Sequence, residues 1–165
     1  MESSALLTDH YELTMVEAAL RSGAGHRRSV FEVFARRLPD GRRYAVVGGT
    51  GRLLDALERF RFDDATLAVL AEHEIVDDAT LQWLASYRFS GTIWGYGEGE
   101  CFFPGSPILI VESTFAEAVV LETLTLSVLN HDSAIASAVR FSGKRCVISS
   151  RTSRRRLKTI RATSR

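Results

Sequence analysis

The chain has 165 residues, 45% of them apolar and 25% charged, with 12 glycines and 3 prolines, the make-up of one ordinary globular unit. That excludes a collagen-like or wholly disordered chain, and a (β/α)8 barrel, which takes roughly 250 residues, cannot stand here beside a second domain. The net charge of +1 hides a division: residues 1–138 hold 11 Arg, no Lys and all 20 acids, whereas 139–165 hold ten basic residues and no acid.

Taken in chain order, Leu13, Val16 and Leu20 recur at helical spacing, with Asp9 as N-cap and Glu12 three residues on completing a capping box. Gly23 and Gly25 end this helix. Residues 29–35 are rich in β-branched and aromatic side chains and read as a strand, followed by a turn at Pro39, Asp40 and Gly41. A glycine turn at 48–51 then leads into a helix over 52–59 that carries Leu53, Leu54 and Leu57 on one face. The string DDATL occurs at 63–67 and again at 77–81, each time opening an apolar-periodic stretch with carboxylates where a helix N-terminus favours negative charge. Two short capped helices are predicted.

Residues 91–100 alternate small and large side chains, and the PGSP turn at 104–107 leads into ILIVE at 108–112, which predicts a hairpin or two adjoining strands. Thr114 and Glu117 match a second capping box at the head of the longest predicted helix, 115–138. Beyond Ala138 the periodicity ends, and composition alone predicts a basic, disordered tail over 139–165.

The candidates for chemistry are few. The 48–51 turn lacks the lysine of a P-loop, and Leu54 stands where a dinucleotide fingerprint needs its third glycine, so a tight turn is the expected reading. Glu98 and Glu100 read as sheet-face or edge charge before a catalytic pair. His10, His26, His73 and His131 show no metal-ligand spacing, no serine sits in a nucleophile elbow, and His131 between Asn130 and Asp132 reads as part of a structural hydrogen-bond cluster. Cys101 and Cys146 suggest neither a disulfide framework nor a zinc site. The basic tail has no aromatic interleaving besides Phe141, so no nucleic-acid partner is expected. With neither a signal peptide nor an apolar run near the ~18 residues of a membrane span, a cytoplasmic protein with no membrane partner is expected.

Four segments together carry a resemblance: LTDHYELTM (7–15), FEVFARRLP (31–39), GYGEGECFFP (95–104) and LETLTLSVLN (121–130). In order and spacing, over about residues 5–138, they resemble the N-terminal portion of nicotinate phosphoribosyltransferase, in particular its Lys-poor, Arg-rich actinobacterial branch. The resemblance implies an α/β (α+β) fold, an open α/β sandwich, without the α/β barrel that carries the phosphate sites. It also implies an ATP-dependent, ligase-type enzyme of NAD biosynthesis, which converts nicotinate and phosphoribosyl pyrophosphate (PRPP) to nicotinate mononucleotide and pyrophosphate. ATP hydrolysis would drive this through a phosphohistidine, with Mg2+ expected, in a homodimer with shared sites.

By the same resemblance, Tyr11 matches the tyrosine placed against nicotinate in the neighbouring subunit's site, and Thr8 and Asp9 belong to the same motif. The barrel, the phosphohistidine and the PRPP loop have no counterpart in this sequence. The loss of resemblance at about Val139 coincides with the charge swing, as a shifted reading frame would produce. The expectation is therefore a truncated, inactive portion of the enzyme that binds no cofactor alone, with a non-catalytic subunit docking on a full-length homologue as the alternative.

Overall fold

The computed structural model describes residues 3–142 and 158–160. After a 3-10 turn at Ala5–Leu7 come α1 (His10–Arg21), β1 (Arg28–Phe34), β2 (Ala45–Val46), α2 (Thr50–Glu58), α3 (Asp64–Glu72) and α4 (Asp78–Ala85). Then follow β3 (Thr92–Gly95), β4 (Cys101–Phe102), β5 (Pro107–Thr114), α5 (Phe115–Val119), α6 (Glu122–Ser142) and β6 (Lys158–Ile160). This is a mixed helix and sheet fold, without a closed barrel among the described residues. Of the predicted tail, 139–142 continue α6 and Lys158–Ile160 forms β6; the expectation of disorder for the rest, and Cys146 with it, falls outside the described residues.

The main sheet has the order β1-β5-β3-β6, and β2 pairs with β4 in a second, two-stranded sheet. Every pairing is antiparallel. The register sets Phe31, Val111 and Ile93 side by side across three strands. Because side chains alternate along a strand, Val33 and Leu109 share that face, and all five belong to or pack against the core with Val16, Ala116, Val119 and Leu124.

The helix starts follow the predicted caps. Asp9 accepts from the Glu12 amide at 2.9 Å, and the Glu12 side chain accepts from the Asp9 amide at 3.2 Å, a complete capping box. Asp63 and Asp77 accept from Thr66 and Thr80 in the same way. Hydrogen bonds from those two threonines, side chain first and then backbone, hold both aspartates below the ordinary carboxylate range. Gly23, at φ +73°, turns the chain out of α1.

The predicted 115–138 helix is in fact two helices. Thr114 caps α5 by accepting from the Glu117 amide, but the predicted capping box is only half formed, because the Glu117 carboxylate accepts from Ser90 and Ser113 instead. The chain then breaks at Val120 and Leu121 and restarts as α6. There the Thr123 amide donates not to the preceding turn but to the Glu12 carboxylate of α1, at 2.5 Å. A side chain from another helix thus caps α6.

Between α2 and α4, Phe60, Phe62, Trp83 and Tyr87 form an edge-to-face aromatic cluster with centroids 5.6 to 5.9 Å apart. The buried Tyr87 hydroxyl donates to the Glu117 carbonyl at 2.9 Å, and burial, followed by the Glu117 charge, pushes this phenol well above its usual range.

Candidate functional site

The glycine turn between β2 and α2 proves to be a packing device. A Cβ on Gly48 would lie 2.7 Å from the Asp132 carbonyl oxygen of α6, and one on Gly49, at φ +92°, 2.7 Å from the Asp132 carboxylate. The amides that a phosphate would use at this helix N-terminus are occupied by Glu98, which accepts from Gly49 at 3.1 Å and Gly51 at 3.0 Å. A resident carboxylate therefore completes the tight turn that the sequence predicts. It also separates the roles of Glu98 and Glu100: both lie in the turn between β3 and β4, not on a sheet face or edge, and Glu98 serves α2.

Asp132 receives Arg52 through two bonds of 2.8 Å and lies 2.9 Å from His131 Nδ1. Hydrogen bonds from Arg52 and then His131 hold its carboxyl below the ordinary range. The predicted structural cluster around His131 is present, although the imidazole itself is exposed. Among the described residues no group of three His, Cys, Asp or Glu side chains could hold a metal ion, and no helix is long and apolar enough to cross a membrane.

The remaining candidates converge where α1 meets α6. Thr8, Asp9 and Glu12 stand at the head of α1, Glu122 and Thr123 at the head of α6. The Glu12 carboxylate is 1% exposed and accepts from the Thr8 hydroxyl, the Asp9 amide and the Thr123 amide. Asp9 in turn accepts from the Thr123 hydroxyl at 3.2 Å. Thr8 and Asp9 are thereby tied to structure, as their capping role predicts. Tyr11 points the other way: it follows the cap, lies off the face that buries Leu13, Val16 and Ala19, and is 63% exposed.

Glu122 and Thr123 also line a groove of about 880 Å³ between the 31–42 segment and α6. Val33, Ile108, Leu121 and Leu129 supply apolar lining, and Arg36, Arg37 and Arg42 line it as well. Burial, then Glu12 and Asp9, raises the Glu122 carboxyl above the ordinary glutamate range. A carboxyl with a raised folded pKa penalises the fold once it ionises. The melting temperature of Glu122→Gln should therefore match the parent below about pH 4, exceed it as the pH rises through the ordinary glutamate range, and keep a constant lead once the folded carboxyl has ionised. A gap independent of pH would exclude this account.

Residues 6–130 match the family model of the nicotinate phosphoribosyltransferase (NAPRTase) N-terminal domain. The chain belongs to this family. Nicotinate phosphoribosyltransferase pncB1 of Mycobacterium tuberculosis is 60% identical over 137 residues, which are 83% of this chain and 30% of the relative. The Bacillus subtilis nicotinate phosphoribosyltransferase is 34% identical over 143 residues, 86% of this chain and 29% of its own.

Among solved structures, human nicotinic acid phosphoribosyltransferase superposes with a TM-score of 0.73 at 30% identity, over 79% of this chain and 27% of its own. Nicotinate-nucleotide pyrophosphorylase from Pyrococcus furiosus, at 20% identity and a TM-score of 0.57, shares the fold. The chain thus spans between 24% and 30% of the length of the curated relatives it matches.

The NAPRTase match covers Tyr11, Glu12 with its three donors and the start of α6. The sequence motif carries Thr8, Asp9 and Tyr11, whereas Glu122 and Thr123 look in sequence like ordinary first-turn residues, and Glu12 looks like no more than the second half of a local cap. One signal was available: Glu12 falls on the apolar face of α1, where a carboxylate needs partners.

Proposed function

We propose that this chain is the N-terminal portion of a nicotinate phosphoribosyltransferase, and that Tyr11 is its contribution to substrate binding. The observation that carries the reading is the family match over residues 6–130, together with an exposed Tyr11 on a helix whose first turn is rigidly held. In the full enzyme, the pyridine nitrogen of nicotinate attacks the anomeric carbon of PRPP, pyrophosphate leaves, and nicotinate mononucleotide forms, with ATP hydrolysed alongside.

A phenol face stacks well on an electron-poor pyridine ring, and a ring held at a fixed angle presents its nitrogen to the sugar as positional catalysis requires. Tyr11 does this across a homodimer interface in the cytoplasm. We assign PRPP, ATP and the metal to the part of the enzyme that lies outside this chain's match, the barrel that carries the family's phosphate sites.

The test is a graft. Residues 1–138 replace the matching region of the mycobacterial relative, and the graft is assayed with nicotinate, PRPP and ATP beside the 165-residue chain alone. The graft should turn over and the chain alone should not. In the graft, Tyr11→Ala should raise the KM for nicotinate about tenfold and leave that for PRPP within about twofold, the signature of lost binding to one substrate. Turnover by the isolated chain would refute the fragment reading, and an unchanged nicotinate KM would refute the assignment of Tyr11. A mixed dimer of the isolated chain with the full-length relative would instead favour a non-catalytic partner subunit.

A further inference from the structure

We propose that Glu12 is a positioning residue that fixes Tyr11 for nicotinate by latching the head of α1 to the head of α6; the inference rests on the placement of Tyr11 given above. Glu12 lies on the core-facing side of α1 with Leu13, Val16 and Ala19, all buried. An apolar residue would satisfy the helix period there, and a carboxylate in such a place is costly unless its oxygens are well bonded. No cation pairs with it among the described residues. Its charge is held by neutral donors alone: the Thr8 hydroxyl and Asp9 amide on one oxygen and the Thr123 amide on the other.

The consequence is mechanical. A capping box holds a first turn to its own helix, which leaves the helix end free to pivot on its neighbours. Glu12 goes beyond that, because its second oxygen reaches 111 residues along the chain to Thr123, and Asp9 adds the Thr123 hydroxyl at 3.2 Å. Two bonds to one residue of α6, from the N-cap and from the third residue of α1, fix the rotation as well as the position of the helix end. Tyr11 lies between Asp9 and Glu12 in sequence, and its own backbone carbonyl accepts from Thr14 at 2.9 Å. Its ring thus projects from a turn clamped on both sides. An exposed aromatic that must meet a planar ring in another subunit gains from this, because ordering that would be paid at binding is already in place.

The experiment uses the active graft with Glu12→Leu, Glu12→Gln and Tyr11→Ala, and the double variant Tyr11→Ala/Glu12→Leu. Leucine keeps the apolar packing and removes both acceptors; glutamine keeps one acceptor. Glu12→Leu should raise the nicotinate KM about tenfold with kcat and the PRPP KM within about twofold, and Glu12→Gln should recover most of that loss. In the Tyr11→Ala background, Glu12→Leu should add less than about twofold, because the side chain being positioned is gone.

Should Glu12→Leu fail to fold, Thr8→Val, which removes a single donor, should show the same pattern at smaller amplitude. Equal penalties with and without Tyr11, or losses shared between both substrates and the melting temperature, would show a purely structural role and overturn the proposal. If Tyr11→Ala alone leaves the nicotinate KM unchanged, the placement of Tyr11 fails and the positioning role fails with it.

Discussion

Gly91→Ala should cost about 3 kcal/mol of stability, the upper part of the range for overpacking, even though its backbone conformation suits any residue. An added Cβ would lie 2.4 Å from the Glu112 carbonyl oxygen, 2.6 Å from Ser113 Cβ and 2.8 Å from Phe89 Cζ. Two of these neighbours belong to β5, the strand paired on both sides by β1 and β3, so neither can retreat without disturbing the sheet. The chain enters β3 here at close quarters because Ser90 is anchored: its amide and hydroxyl both donate to the Glu117 carboxylate at about 3.0 Å. Gly105→Ala is the control. Gly105 has φ +74° and open space around its Cβ position, so alanine there should cost only the left-handed backbone penalty of roughly 1 to 2 kcal/mol. Urea unfolding of both variants separates the two costs, and equal midpoints would show that β5 yields to the methyl group.

What could be read from the sequence was what is local. Asp9, Asp63 and Asp77 cap their helices because the partner amide lies three residues away, a distance that composition and spacing report directly. The break between α5 and α6 could not be read this way. The apolar run through 119–129 continues without a breaker, and the feature that restarts the helix is a carboxylate on α1. Glu98 is similar: nothing near it in the chain says that its oxygens complete the glycine turn at 49–51, and so its pairing with Glu100 looked like a feature of one sheet strand. The candidate site divides along the same line. Tyr11 is legible only through the motif resemblance, since an aromatic on an amphipathic helix otherwise reads as core and its exposure appears only in the structure, and the contacts that hold its turn depend on two helix ends meeting in space.

The largest loss among the described hydrogen bonds should come from Ser133→Ala/Ser137→Ala, expected to destabilise the fold by about 3 to 5 kcal/mol. β2 pairs with β4 along one edge only, which leaves the other edge to be satisfied by α6. Ser137 Oγ accepts from the Val46 amide at 2.9 Å and Ser133 Oγ from the Gly48 amide at 3.1 Å, each also lying within 3.4 Å of the same residue's carbonyl oxygen.

A hydroxyl has one donor and two acceptor positions, so each serine can serve both backbone groups of its partner, as a neighbouring strand would. The spacing explains why this works: four residues along a helix advance about 6 Å and two along a strand about 6.6 Å, so serines at i and i+4 meet alternate residues of β2 and its extension. All four residues are buried, and water therefore cannot replace the lost acceptors cheaply. Alanine is the better helix former by up to about 0.5 kcal/mol per site, which opposes the loss without cancelling it. Each single variant should lose about 1 to 3 kcal/mol, and the double variant should speed amide exchange at Val46 and Gly48 ahead of the rest of the core. A double variant within about 0.5 kcal/mol of the parent would mean that β2 closes its own edge, and that α6 is held by apolar packing alone.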